Sequence, residues 1–232
     1  MIMTCETQML NVPRLFPYLT VFVTLAAVAC DRDPGVFQKE ESPNYKGTIV
    51  AVGDSLTAGF GVSEEEAFPA LLEKELISKG HPYKVINGGI SGETSSGALS
   101  RIKWVLTLKP DIVILETGAN DGFRGIDPSL IQKNIRETVR ILKSENVIVI
   151  LAGMRMVENL GSEYTTVFSR IYSTIAEEED LIFIPFFLEG VAGKRQYNQP
   201  DGIHPTAEGY RIITKLVYPY VLEAINKLPA VG

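Results

Sequence analysis

Short, almost continuously apolar runs alternate with longer amphipathic stretches from residue 48 to residue 228, and this alternation restricts the fold more than any other feature. Such runs are typical of strands buried on both faces of a sheet, because neither face meets water. The alternation therefore predicts one α/β domain with a doubly wound parallel sheet of about five strands and helices on both faces. The predicted strands cover residues 48–52, 84–87, 111–117, 146–152 and 181–187.

The predicted helices follow the strands in turn. Ser63 and Glu66 have the spacing of a capping box, in which two side chains satisfy free N–H groups, and they predict a helix that begins at Ser63. Pro205 suits the first position of the last helix, since proline has no N–H to leave unpaired there. The predicted helices cover residues 63–79, 95–108, 128–143, 162–179 and 205–228.

The chain before the domain has the pattern of an export signal. Residues 15–29 form an uncharged apolar run that follows Arg14. The run is shorter than the roughly 20 residues of a membrane-spanning helix, and its small-residue end is typical of a secretory signal. We predict a signal peptide over residues 1–30, with cleavage after Ala29 or lipid attachment at Cys30 as in a bacterial lipobox. An uncleaved membrane anchor is the alternative interpretation.

A polar segment joins this signal to the domain. Residues 31–46 contain Pro34 and Pro43 and predict a flexible tether with a reach of about 20–25 Å. The folded domain is then predicted over residues 47–232. This organisation predicts an exported protein, either periplasmic or held at a bacterial membrane as a lipoprotein.

Charge and cysteine usage exclude several kinds of site. The chain has 22 Lys and Arg residues against 28 Asp and Glu residues, and its formal net charge of −6 predicts no basic face for nucleic acid. Both cysteines, Cys5 and Cys30, precede the predicted domain. The domain itself is therefore predicted to hold neither a disulfide nor a thiolate metal site.

The stretch GDSLTAGFG, residues 53–61, directly follows the first predicted strand. Gly53 lets the backbone turn sharply, and Ser55 then lies at the mouth of the turn, where a strand-to-helix junction exposes a nucleophile. Ligands of doubly wound sheets bind at the carboxyl ends of the strands, which is where this turn is expected. The alternative interpretation is that Ser55 only caps the following segment.

A serine nucleophile needs a base, and the sequence has two histidines. His81 is predicted in a turn at the amino side of the sheet. His204 lies in DGIHP at the carboxyl edge, and Asp201 precedes it by three residues, close enough to accept a hydrogen bond from the imidazole. Alternatively, His204 only caps the last helix and Asp201 bonds to its own loop.

Acyl transfer also needs hydrogen-bond donors for the oxyanion that develops in the transition state. The backbone N–H of Gly92 can approach closely because glycine has no side chain, and Asn120 can supply a side-chain amide. With the N–H of Ser55 they make three predicted donors from three loops. Asp54 and Asp121 are predicted to brace these loops rather than to act in catalysis.

Four blocks, GDSLTAG, GISGETS, GANDG and DGIHP, occur in the order that defines the SGNH or GDSL hydrolases, and the chain resembles that family over residues 48–228. Within the family it resembles the bacterial thioesterase I, arylesterase and lysophospholipase branch. The resemblance implies a flavodoxin-like fold, no metal and no organic cofactor. It implies a triad of Ser55, Asp201 and His204 and an oxyanion hole from Ser55, Gly92 and Asn120.

These features predict a serine esterase that hydrolyses carboxylic esters or thioesters, such as acyl esters or lysophospholipids, through an acyl-enzyme. Its expected partners are small acyl esters or lipids and a membrane reached through acylated Cys30. A carbohydrate O-acetylesterase of the same fold and a catalytically inert ligand-binding lipoprotein are the alternatives. A metallophosphoesterase is disfavoured, because its binuclear site generally needs several histidines and the candidate ligands here are Asp54, Asn120, Asp201 and His204.

Overall fold

The structure is a computed structural model, and it describes residues 44–156 and 160–229 of the chain. The predicted signal peptide, Cys30 and residues 31–43 of the predicted tether lie outside the described residues. Residues Ser42–Gly232 form one compact unit. In the described part of the chain, no helix combines the length and the apolar character that crossing a membrane requires.

The described residues form a sheet of five parallel strands. These are β1 (Gly47–Gly53), β2 (Tyr83–Gly89), β3 (Ile112–Glu116), β4 (Ile148–Ala152) and β5 (Ile182–Ile184). They lie in the order β2-β1-β3-β4-β5, so the direction of strand progression reverses at β1. This order confirms the predicted doubly wound, flavodoxin-like α/β fold. The reversal makes the carboxyl ends of β1 and β3 the expected ligand-binding edge.

Helices cover the sheet on both faces. In the described residues they are α1 (Ser55–Ala58), α2 (Phe68–Ser78), α3 (Ser95–Leu106), α4 (Ala119–Phe123), α5 (Pro128–Ser144), α6 (Ser162–Glu178) and α7 (Ala207–Lys227). α5 packs between α3 and α6, and α2 packs against α7. Each long helix buries one stripe, as α5 does with Ile131, Ile135, Val139 and Leu142, at the spacing that keeps side chains on one helix face.

The predicted helix over residues 63–79 is divided in two. Ser63 and Glu66 do form the capping box, but it closes a single 3₁₀ turn at Glu64–Glu66. The α-helix begins afterwards, at Phe68. Pro69 explains the break, because proline has no N–H to bond back to residue 65 and restricts the backbone before it.

The last helix begins two residues later than predicted. Its N-cap is Thr206, whose hydroxyl accepts a hydrogen bond from the N–H of Gly209 at 3.3 Å. Pro205 instead forms an isolated antiparallel bridge with Asn198, so the prediction that it starts the helix was wrong. His204 therefore lies in a loop before the helix and not at its cap.

The fifth strand is shorter than predicted. It ends at Ile184, because Pro185 cannot donate to the sheet ladder. The chain then turns beneath the carboxyl edge, where the N–H of Phe187 donates to the carbonyl of Gly153 at 2.9 Å. The residues after the strand therefore line the functional edge instead of extending the sheet.

The hydrophobic core lies between the sheet and the two helix layers. All residues of β3 are buried, and the largest fully buried side chains include Phe68, Phe168, Tyr172 and Tyr210. Dense packing of this kind holds the strand ends in fixed relative positions. The loops that follow those ends are thereby placed on a rigid base.

Candidate active site

Ser55 is the first residue of α1, directly after the carboxyl end of β1. The carboxylate of Asp54 caps this one-turn helix by accepting a hydrogen bond from the N–H of Leu56 at 2.9 Å. Gly59 ends the turn with φ +81°, a conformation that favours glycine. The tight turn leaves the Ser55 side chain partly exposed at the expected edge.

The structure brings Ser55, His204 and Asp201 together. The Nε2 atom of His204 lies 2.9 Å from the Oγ atom of Ser55, and its Nδ1 atom lies 2.8 Å from Oδ2 of Asp201. Because a carboxylate can only accept, Nδ1 carries the proton toward Asp201 and Nε2 is left to accept the serine proton. The three side chains form one continuous hydrogen-bonded chain.

Asp201 is held in the orientation that this chain requires. Its Oδ1 atom accepts hydrogen bonds from the N–H groups of Ile203 at 2.8 Å and His204 at 3.0 Å. These bonds, with the His204 backbone bond the largest cause, lower the pKa of Asp201 to about 2. Asp201 is therefore ionised at neutral pH, in spite of its exposure.

The predicted oxyanion donors lie at the same edge. Asn120 lines the cavity that contains Ser55, and its Nδ2 atom donates to Oδ2 of Asp54 at 2.9 Å. That bond uses one of the two amide hydrogens. Gly92 lies outside the cavity lining, in the loop after β2, and has φ +78°. Its carbonyl accepts a hydrogen bond from Arg124 at 3.0 Å, a contact that the sequence did not predict.

An apolar cavity of about 360 Å³ opens beside Ser55 and His204. This volume is within the range of small-molecule sites. Its walls come from the loops after β1, β3, β4 and β5 and from the loop that carries His204. The apolar lining consists of Leu56, Ala119, Phe123, Met154, Met156, Phe186, Leu188, Ala192 and Ile203.

Residues 51–212 match the GDSL-like Lipase/Acylhydrolase family. Esterase TesA of Pseudomonas aeruginosa is 39% identical over 173 residues, which are 74% of this chain and 86% of the relative. The chain belongs to the GDSL-like lipase/acylhydrolase family. It is an ester hydrolase by this membership, as the four sequence blocks predicted.

Two further members of the GDSL family show how far the similarity extends. Thioesterase 1/protease 1/lysophospholipase L1 of Escherichia coli K12 is 38% identical over 180 residues, covering 77% of this chain and 85% of the relative. The crystal structure of the psychrotrophic esterase EstA from Pseudoalteromonas sp., inhibited by monoethylphosphonate, has a TM-score of 0.74 and 31% sequence identity. It covers 78% of this chain, and this chain covers 100% of it.

Beneath the GDSL turn, two carboxyl groups lie buried side by side. Glu116, at the end of β3, accepts hydrogen bonds at Oε2 from the N–H of Asp54 at 3.2 Å and from Oγ1 of Thr57 at 3.0 Å. Burial raises the pKa of Glu116 well above its usual range, and the neighbouring Asp54 carboxylate raises it further. Burial therefore favours the protonated form of Glu116, while Asp54 accepts from Leu56 and Asn120.

Sequence reasoning missed Glu116. Its only local signal is that an acidic residue ends the otherwise apolar run DIVILE. The two carboxylates that the sequence did predict as braces, Asp54 and Asp121, each accept hydrogen bonds from the start of a helix. Asp54 caps α1, and Asp121 accepts from the N–H and the hydroxyl of Ser95, each at 2.7 Å.

The residues that the phosphoesterase alternative would use as metal ligands form side-chain hydrogen bonds instead. Asp54 bonds to Asn120, and Asp201 bonds to His204, which in turn bonds to Ser55. Within residues 44–156 and 160–229, no three His, Cys, Asp or Glu side chains are grouped as a metal site requires. Asp201, His204 and Ser55 form a hydrogen-bonded chain in which the histidine is directed at a hydroxyl.

Proposed function

We propose that this chain is a serine esterase that hydrolyses carboxylic esters or thioesters through an acyl-enzyme on Ser55. One observation carries the proposal. A hydrogen-bonded chain runs from Ser55 through His204 to Asp201, and it stands at the mouth of an apolar cavity. A nucleophile, an oriented base and a binding pocket for an acyl group are thus present together.

The first half of the reaction acylates the serine. Oγ of Ser55 attacks the carbonyl carbon while Nε2 of His204 takes the hydroxyl proton. The oxyanion then accepts hydrogen bonds from the N–H groups of Ser55 and Gly92 and from the Asn120 amide. When the tetrahedral intermediate collapses, His204 gives the proton to the leaving oxygen or sulfur, and the acyl group remains on Ser55.

The second half reverses these roles with water as the nucleophile. His204 takes a proton from water, the oxygen attacks the acyl carbon, and the same donors stabilise the second oxyanion. Collapse releases the carboxylic acid and returns the proton to Oγ of Ser55. Asp201 remains ionised throughout and stabilises the imidazolium that forms twice in each cycle.

The cavity walls favour an acyl chain over a sugar. A carbohydrate acetylesterase must satisfy several sugar hydroxyls with hydrogen-bonding side chains, whereas the walls beyond Asn120 and His204 are mainly apolar. The relatives named esterase and thioesterase/lysophospholipase act on the same class of bond. We therefore propose acyl esters, thioesters or lysophospholipids as substrates.

The location of the enzyme remains a sequence-based proposal. An apolar run at residues 15–29 followed by Cys30 is consistent with export and with lipid attachment at the cysteine. Metabolic labelling with an alkyne fatty acid would detect a lipid on the wild type and none on Cys30→Ala. Equal labelling of both proteins would contradict the attachment site.

Hydrolysis of p-nitrophenyl acyl esters tests the function directly. We expect turnover that survives a chelator, that is absent in Ser55→Ala, and that favours chains longer than acetyl. A fluorophosphonate should label Ser55 covalently in the wild type. Absence of both turnover and labelling would support the inert ligand-binding alternative, and a sharp preference for acetyl would support the acetylesterase.

A further inference from the structure

Four exposed apolar side chains surround the active-site opening, each on a different loop. Phe60 follows α1, Ile90 follows β2, Phe123 ends α4, and Ile203 lies in the loop that carries His204. Between 42% and 50% of each residue is exposed. We call these four residues the apolar rim.

The members of the rim lie close to the reacting groups. Phe123 and Ile203 line the cavity, and the ring centre of Phe60 is 4.6 Å from that of His204. Ile90 is joined to the turn before Ser55, because its N–H donates to the carbonyl of Gly53 at 2.9 Å. Three members of the rim therefore lie at the catalytic site, and Ile90 follows β2 at the same edge of the sheet.

The rim extends beyond what a small substrate could cover. Ile90 and Phe60 are not part of the cavity lining, so an acyl group bound in the cavity leaves both in water. Contiguous exposed apolar groups of this kind are typical of surfaces that dock onto something larger. Whatever docks onto the apolar rim must leave a path open by which the substrate reaches Ser55.

Positive charge lies beside the rim although the chain as a whole is acidic. The exposed cations in the loops at this edge are Arg124, Arg155, Lys194 and Arg195, and the exposed carboxylates in or next to these loops are Asp127, Glu189 and Asp201. Arg124 is adjacent to Phe123, and Lys194 and Arg195 follow Gly193 of the cavity wall. Cations next to exposed apolar side chains match the phosphates and acyl boundary of a phospholipid surface.

We propose that the apolar rim, with Arg124, Lys194 and Arg195 beside it, docks the domain onto a phospholipid surface. An ester-bearing lipid then enters the cavity beside Ser55 without crossing bulk water. This inference rests on the proposed esterase function and names the physical form in which that site meets its substrate.

A lipid surface fits the opening better than a protein does. A protein partner seated on all four loops would cover the cavity above Ser55, whereas a lipid surface delivers substrate through the same contact. The predicted tether of residues 31–46 joins the domain at Gly47, the amino end of β1, and therefore enters at the sheet edge opposite the rim; its reach of about 20–25 Å would still keep the domain near a membrane. Because a tether of this length keeps the local concentration of the lipid surface high, docking needs only a weak intrinsic affinity of the rim for lipid.

Vesicle sedimentation tests the docking separately from catalysis. The protein is the chain from Ser42, which contains the whole described core, with Ser55→Ala to prevent turnover. Sucrose-loaded vesicles of phosphatidylcholine and phosphatidylglycerol are the probe. Ile90→Asn should weaken partitioning about tenfold, the effect of leaving one half-exposed aliphatic side chain out of an apolar phase.

Trp104→Gln is the matched control. Trp104 is 56% exposed against 49% for Ile90, but it lies in the last turn of α3, at the opposite edge of the sheet. This variant should bind vesicles as the parent does. Ile90→Phe should bind more tightly, which keeps the test decisive if Ile90→Asn folds poorly, and thermal unfolding checks each variant.

Several results would overturn the proposal. The parent failing to sediment with vesicles would do so, and so would equal losses in Ile90→Asn and Trp104→Gln. A dimer in sedimentation velocity that Ile90→Asn dissociates would assign the rim to a second copy of the chain instead. Failure of fluorophosphonate labelling in the Ser55 protein would refute the esterase function alone, because vesicle binding is measured without it.

Discussion

Glu116 is the residue whose chemistry depends most on its surroundings. Its side chain is fully buried next to the Asp54 carboxylate, and in the described part of the chain no lysine or arginine pairs with it. Two adjacent buried carboxyls cannot both ionise cheaply, so one keeps its proton. In its protonated form, Glu116 supports the turn that carries Ser55 without adding a second negative charge.

Glu116→Gln should reveal that proton through the pH dependence of stability. The folded-state pKa of Glu116 is raised, so its contribution to stability is present below the unfolded pKa and is lost as pH rises through the folded pKa. Glutamine does not titrate, so the variant does not lose this stability as the pH rises. Relative to the wild type, the free energy of unfolding of the variant should rise as the pH increases above the ordinary pKa of a glutamate, by up to about 1.4 kcal/mol per pH unit.

Urea denaturation at several pH values measures this difference. Glu178→Gln, at an exposed ion pair with Arg136, is the control and should show only a small pH-dependent difference. The Glu116→Gln variant should also retain ester turnover, because glutamine keeps a neutral donor and acceptor. A difference that stays flat with pH would mean that Glu116 is ionised in the folded protein.

Ser55 and His204 should act as one unit. Either alanine substitution is expected to lower kcat by about 10⁴-fold or more, because each removes a step that the other cannot perform alone. The double variant should lose little beyond the single ones. Additive losses in saturating p-nitrophenyl ester assays would contradict the proposed proton transfer, and Ser100→Ala, an exposed serine on α3, should be fully active.

At the scale of elements, one buried ion pair fixes the loop that carries Gly92. Arg101 on α3 contacts both carboxylate oxygens of Glu93 at 2.6 Å and also donates to the carbonyl of Gly88 at 2.7 Å. Both ends of the loop after β2 are thereby attached to α3. Gly92, the proposed oxyanion donor next to Glu93, has no side chain and is held in place by this contact.

Arg101→Met should destabilise the protein by about 3–5 kcal/mol, because it leaves the Glu93 charge buried and unpaired. Adding Glu93→Gln should restore part of the loss. Chemical denaturation measures both variants, with Arg136→Met as the control at an exposed pair, where about 1 kcal/mol or less is expected. Equal losses at the two arginines would refute a special role for the buried pair.

At the scale of the whole molecule, the strand order brings the site together. Reversal at β1 places the loops after β1, β2 and β3 side by side, while the loop of His204 reaches the same edge just before α7. Ser55 and His204 are 149 residues apart in the chain and 2.9 Å apart in space. The sheet is thus the scaffold on which separate loops become one site.

The compact unit should be independent of the segment before it. The described core extends from Ile49 to Ala224, so a chain from Ser42 should have the same Tm and the same ester turnover as one from Asp31. Differential scanning calorimetry and p-nitrophenyl butyrate hydrolysis compare the two. A Tm lower by more than about 4 °C in the shorter chain, roughly 1 kcal/mol or more, would show that residues 31–41 contribute to the fold.

Local patterns in the sequence were enough to predict the fold class and the site candidates. Apolar runs predict buried strands wherever they occur, and the blocks at residues 53–61, 118–125 and 201–205 carry their side chains on short loops. A local pattern also gave a wrong helix boundary where two local features opposed each other. The capping box at Ser63 was real, but Pro69 ended its turn.

Which side chains meet across the sheet depends on the three-dimensional packing and could not be predicted from local patterns. Glu116 lies beneath Asp54 because β1 and β3 pair in the register that places Val52 beside Leu115. That register depends on the packing of the whole core and leaves no signal in either segment alone. The apolar rim likewise exists because four loops, distant in the chain, end at one edge of a parallel sheet.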